Sequence, residues 1–211
     1  MGEALIKAVM VLRNLALRKV VGPSPSFTEF HLSKALEVIG ERGPIGRAKL
    51  SEELKMGEGA TRTLINHLQK AELIKATKWG CLLTRKGRAI IEELESKLLM
   101  KANVPRSSIA VEAHNLGILV KDAGHKIRSG IEQRDAAIKA GASSATTTLF
   151  RNDKLSVPPV NQRVSRDWMD AAAQILQIFN PEENDVIIIC GDDTEENAEK
   201  GVMAAAWTLI E

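Results

Sequence analysis

The residues best suited to chemistry lie in one stretch, from Gly57 to Lys70. Its polar members are Thr61, Arg62, Thr63, Asn66, Gln69 and Lys70, with His67 near the border. Leu64, Ile65, Leu68 and Ala71 recur at helical spacing, so the stretch predicts a helix with one face buried and the polar set outside. Arg can fork onto guanine, and Asn or Gln onto adenine. Hydroxyls and helix-end N–H groups can hold phosphate. The chemistry these residues suit is recognition of duplex DNA, with Thr61, Arg62, Thr63 and Asn66 as the candidates to read bases or set register. Read without its flanks, the same stretch is also an ordinary amphipathic surface helix.

Charge supports a polyanionic partner. Net charge is only +2. Residues 1–104 hold 18 Lys and Arg against 11 Asp and Glu, while residues 105–211 hold 11 against 16. The excess in the first half sits within 42–88, at a net of +7. A basic half and an acidic half imply two domains with different partners. Arg47, Lys49, Lys70, Lys78, Arg85 and Lys86 are the candidate phosphate neutralisers.

Other chemistry is sparse. His31, His67, His114 and His125 form no metal-ligand spacing with each other or with Cys81 and Cys190, so no metal is expected. No Gly-rich phosphate loop and no activated nucleophile occurs, so neither a cofactor nor enzymatic activity is expected. Gly191-Asp192-Asp193 sits at a strand-to-helix handover. Asp192 and Asp193 could take a cation or amine effector there, or Asp193 could cap the helix with Glu196 in a capping box. Arg134 and Asp135, adjacent on the first turn of a helix and so expected to diverge, are a second candidate effector contact. The alternative for them is a solvated face.

The elements that position these residues follow from periodicity. Leu5, Val9, Leu12 and Ala16 form a short helical seam, able to pack on the domain or on a second copy. The segment Gly22-Pro23-Ser24-Pro25-Ser26 breaks it. Thr28–Ile39 is the next helix and Arg47–Met56 a short one, with Ala48, Leu50, Leu54 and Met56 inward. Gly57-Glu58-Gly59 is a tight turn into the polar helix. Glu72–Thr77 and Cys81–Thr84 are strands around the turn Lys78-Trp79-Gly80. Trp79 either lies against sugar or base, or folds back over the core. Thr84 caps a helix running from Arg85 to Leu99.

Helix, helix, turn, helix, hairpin, helix is the order of a winged helix. The run Leu50–Leu54, Gly57–Ile65, Leu68–Ile74 and Leu83–Gly87 resembles prokaryotic winged helix-turn-helix regulators over about 28–100. The resemblance implies that the helix at 58–71 enters the major groove and that the wing at 78–80 touches an adjacent groove or the backbone.

Beyond Asn103-Val104-Pro105 the pattern changes. Ser108–Ala113 and Gly117–Lys121 read as strands separated by a break at Asn115. Ile131–Ala140 reads as a helix closed by Gly141, and Ala145–Arg151 and Lys154–Val157 as a hairpin around Asn152-Asp153. A helix capped by Ser165 runs to Asn180-Pro181. Asp185–Cys190 is the central strand, and the last helix follows through Ala198, Val202, Ala205 and Leu209. The expected class is α+β. An N-terminal helix and linker span 1–27, a winged helix-turn-helix domain 28–102, and a two-layer α/β domain 106–211 with its helices on one face of the sheet.

The whole chain also resembles a family of uncharacterised archaeal proteins with this domain pair, on Gly57-Glu58-Gly59 with Arg62-Thr63, on Ile131-Glu132 with Arg134-Asp135 and Ala137-Ile138-Lys139, and on Asp185–Ile189. That resemblance implies a second half similar to the insert domain of tRNA-dependent amidotransferases and bacterial aspartyl-tRNA synthetases. The functional expectation is a homodimeric transcriptional regulator that binds duplex DNA, its second domain sensing a small molecule or mediating assembly. The alternative is a non-enzymatic adaptor for RNA or protein near the translation machinery. No apolar run reaches the roughly 18 residues of a membrane span. No cleavage site follows the apolar start Ala4–Val21, and the cysteines stand apart. A cytoplasmic protein without a secretory leader is therefore expected.

Overall fold

The computed structural model describes residues 3–17, 27–158 and 168–210. The chain divides into two compact units, Met1–Glu95 and Ser96–Glu211. No helix among the described residues is long and apolar enough to cross a membrane.

In the first unit, helix α1 (Glu3–Leu17) packs on α2 (Glu29–Arg42) and α5 (Arg85–Glu95). Its Ala8, Val9, Leu12 and Leu15 are buried in this unit itself, so the seam is already occupied within one chain. Between them come α3 (Arg47–Glu53), α4 (Glu58–Lys70) and the hairpin of β1 (Ile74–Thr77) and β2 (Gly80–Leu83). Leu32, Leu36, Ile39, Leu50, Leu64, Leu68 and Leu73 are fully enclosed, an aliphatic core in a chain with few aromatics. Ala48, expected inward, is exposed. Thr84 does cap α5: its Oγ1 accepts the Gly87 N–H at 3.1 Å.

Helix α5 stops at Glu95 rather than Leu99, and Leu98–Asn103 forms strand β3 of the second unit. The unit boundary thus lies ahead of the expected 102–106. Leu98-Leu99-Met100 has no period of its own. The backbone there is decided by β4 (His114–Val120), which pairs antiparallel with β3 from Leu98↔Val120 to Asn103↔Leu116.

The second unit is built on one antiparallel sheet of order β3-β4-β7-β5-β6, with β5 at Ser144–Arg151, β6 at Lys154–Ser156 and β7 at Val186–Asp192. Every residue of β7 is buried, as its continuous apolar run requires. Ser108–Ala113 is a loop, not a strand. Its Ser108 hydroxyl donates to Asp170 Oδ1 at 2.7 Å. Asn115, expected to break the chain, lies inside β4 and ties that loop down through Nδ2 to the Glu112 carbonyl at 2.9 Å.

The class is α+β, but the sheet carries helices on both faces rather than one. Helix α7 (Met169–Phe179) places Ala172, Ile175 and Phe179 in a cluster with Leu119, Ile187 and Ile189. Helices α6 (Ile131–Lys139) and α8 (Glu195–Ile210) cover the other face, where Gly201 stands against Ala142 and Cys190. Alternation along β7 sends Ile187 and Ile189 one way, and Ile188 and Cys190 the other, so two helical layers are needed. The expected Ser165 cap lies outside the described residues.

Candidate nucleic-acid interface

Helix α4 is held at its start by the turn from α3. Lys55 takes the left-handed conformation (φ 50°), and the Ser51 hydroxyl closes the turn on the Met56 carbonyl. Leu64, Ile65 and Leu68 point inward, while Arg62, Thr63, Asn66 and Lys70 form an exposed stripe. Thr61 is not part of it. Its side chain is fully buried and its Oγ1 donates to the Gly57 carbonyl at 3.2 Å, so it cannot reach a base. Thr63 makes the equivalent bond to Gly59 at 3.1 Å but remains on the surface. His67 is buried against the edge of Phe27, with Nδ1 at 3.1 Å from the Leu15 carbonyl oxygen, and so anchors the back of the helix.

The wing is equally well supported. Cys81 N–H donates to the Ile45 carbonyl at 2.8 Å and Ile45 N–H returns the bond at 3.2 Å, a third strand in miniature beside β2. Gly80 has φ 131°, and a Cβ there would stand 2.5 Å from the Ile45 carbonyl. The tip is closed by Thr77, whose Oγ1 donates to the Gly80 carbonyl at 2.9 Å and accepts the Trp79 N–H at 3.1 Å. Trp79 is 72% exposed and Lys78 Nζ lies 4.9 Å above its ring. The indole therefore projects instead of folding back on the core.

The expected phosphate contacts divide. Lys70, Lys78 and Arg85 are exposed. Arg47 pairs with Glu58 at 3.6 Å, and Lys49 with Glu52 at 2.8 Å and Glu53 at 3.6 Å, which holds the Lys49 ammonium above its ordinary value. Such exposed pairs are weak in water and yield to a phosphate. Lys86 donates to the Ala71 carbonyl at 2.8 Å and caps α4. Lys75 and Arg88 are further exposed cations, which the sequence shows only as part of the charge excess over 42–88.

The second-domain candidates come apart. Asp192 is buried and satisfied. It accepts Ser143 Oγ at 2.7 Å, and Thr194 N–H, Thr194 Oγ1 and Asn197 Nδ2 each at 3.0 Å. Those bonds, Ser143 first, hold its carboxyl down at about 2. It ties the residue ahead of β5 to β7 and α8, and three of these four bonds fall on Oδ1, so its role here is structural. Asp193 is exposed, and Thr194, not Asp193, caps α8 by accepting Asn197 N–H at 3.3 Å. Arg134 and Asp135 do not diverge but pair at 3.1 Å on the exposed start of α6. No group of three His, Cys, Asp or Glu able to hold a metal occurs among the described residues.

Residues 36–89 match the family model described as PH0730-like, N-terminal domain, and residues 111–209 match a domain of unknown function, DUF4443. The chain is similar to hypothetical protein PH0730 from Pyrococcus horikoshii OT3. The likeness has a TM-score of 0.62 at 28% identity, over 84% of this chain and 91% of that one. A curated relative, transcription initiation factor TFIID subunit 4 of Meyerozyma guilliermondii, is 24% identical over 159 residues, 71% of this chain. The chain spans about a third (33%) of that relative's length. The PH0730-like match runs from within α2 to α5, so it contains the α4 stripe and the wing. The DUF4443 match takes in the second sheet from β4 onward.

Proposed function

We propose that this protein is a DNA-binding transcriptional regulator whose α4 enters the major groove while the β1–β2 wing lies on the adjacent backbone. The observation that carries the reading is the coincidence of three features on the first domain. They are an exposed Arg62–Asn66–Lys70 stripe, an exposed Lys78–Trp79 tip, and a local net charge of +7 over 42–88. Arg62 and Asn66 are one helical turn apart, so both side chains can reach neighbouring base edges. The curated relative bears the name of a transcription initiation factor subunit, which supports the same area of function. The second domain serves assembly or sensing. Selection of bound fragments from genomic DNA, followed by competition between the selected duplex and tRNA, tests the reading. A selected duplex should win. A clear preference for tRNA would move the protein to the adaptor alternative.

A further inference from the structure

The acidic second domain contains a distinctly basic cavity, of about 590 Å³. Arg128, Arg151 and Lys154 line it with Asn152, Ser156 and Leu149, and no carboxylate contributes to its wall among the described residues. The strand register explains the grouping. Arg151 pairs with Lys154 and Leu149 with Ser156, so these four side chains share one face of the β5–β6 hairpin. Arg128 comes from the loop that leads into α6.

Two further features suit a ligand. Arg151 is held in place, its Nε and Nη2 donating to Asn184 Oδ1 at 3.1 and 2.8 Å, which leaves Nη1 unused by that bond. Thr147, on the same face of β5 as Arg151 and Leu149, keeps a buried hydroxyl with no hydrogen-bond partner among the described residues. That hydroxyl stands 3.5 Å from where a Gly130 Cβ would be, and the Pro158 carbonyl, on a residue that also lines the cavity, borders the same spot at 3.6 Å. The volume is that of a small-molecule site. No aromatic ring lines it among the described residues, so a stacked base is not what it selects. Three cations gathered on one wall select an anion of high charge density.

We infer that this cavity binds a small molecule bearing phosphate groups, held by Arg128, Arg151 and Lys154. It is the site at which the second domain senses its effector, in place of the Arg134–Asp135 and Asp192–Asp193 candidates. The sensing role rests on the regulator reading, but the binding does not.

The test is calorimetric titration of the full chain with inorganic triphosphate, and in parallel with the selected duplex. Saturable binding of one triphosphate per chain is expected. The Arg128 and Lys154 side chains make no hydrogen bond among the described residues, and Arg128→Gln and Lys154→Gln should each weaken triphosphate roughly tenfold, the loss of one charge-assisted contact. Arg134→Gln, an exposed arginine of the same domain outside the cavity, and Arg62→Ala should leave it unchanged. Absence of saturable binding overturns the proposal, as does binding indifferent to Arg128→Gln and Lys154→Gln. Binding weakened by Arg62→Ala would place the anion on the nucleic-acid face and also overturn it. Failure of duplex binding with triphosphate binding intact would sink the regulator reading and leave the cavity assignment standing.

Discussion

At the scale of single residues, two neighbours on α4 have opposite fates. Arg62 is exposed and carries no ion pair among the described residues, while Thr61 is enclosed and bonded to its own backbone. Arg62→Ala should therefore cost about 1–3 kcal/mol of cognate DNA affinity and relax preference at one position. Thr61→Val should leave DNA affinity unchanged, and parallel titrations of one duplex with both variants check the contrast. Asp192 gives a different expectation. Its carboxyl lies at about 2 in the folded chain, against an ordinary 3.8, because four hydrogen bonds favour the charged form. The unfolded chain then takes up its proton first as pH falls. The stabilisation is full above about pH 4 and is lost towards about pH 2. Asp192→Ala should destabilise by about 1.5–3 kcal/mol near neutrality, since it removes hydrogen bonds to a charged acceptor. Urea unfolding at several pH values should show that gap narrowing in acid.

At the scale of elements, the wing depends on its root and acts through its tip. Gly80 combines φ 131° with backbone contact to Ile45, so Gly80→Ala should destabilise the first domain by more than about 2 kcal/mol. A melt of this variant against the unmodified chain measures it. Trp79→Ala should do the reverse, changing stability by no more than about 0.5 kcal/mol, because the ring is outside the core. It should nonetheless weaken duplex binding, since the indole and the Lys78 ammonium above it reach outward together. Unweakened binding would show that the tip makes no contact. Much at this scale was legible in the sequence. The apolar period of α4, the Thr84 cap and the Asn152-Asp153 turn each depend on residues a few positions apart. Both turn residues have positive φ, 52° and 57°, as a tight hairpin between β5 and β6 demands. The Leu98–Asn103 strand was not legible, because a short apolar run without a period is decided by its partner, and the partner begins at His114.

At the scale of the whole molecule, charge separates the halves although the total is near zero. If Arg62, Lys70, Lys75, Lys78, Arg85 and Arg88 engage about six phosphates, log affinity should fall with log salt at a slope near −5. A chain judged by its net +2 would show a much shallower slope. Duplex titrations over a range of salt distinguish the two. The segregation of charge, the order of elements in the first unit and the α+β class were determined by sequence alone, since composition and short-range periodicity need no knowledge of the fold. The rest was decided by tertiary structure. The inward turn of Thr61, the bonding of Asp192, the second helical layer and the gathering of Arg128 with Arg151 and Lys154 each join residues distant in the chain or set a rotation by packing. Local pattern carries no information on which surfaces will meet.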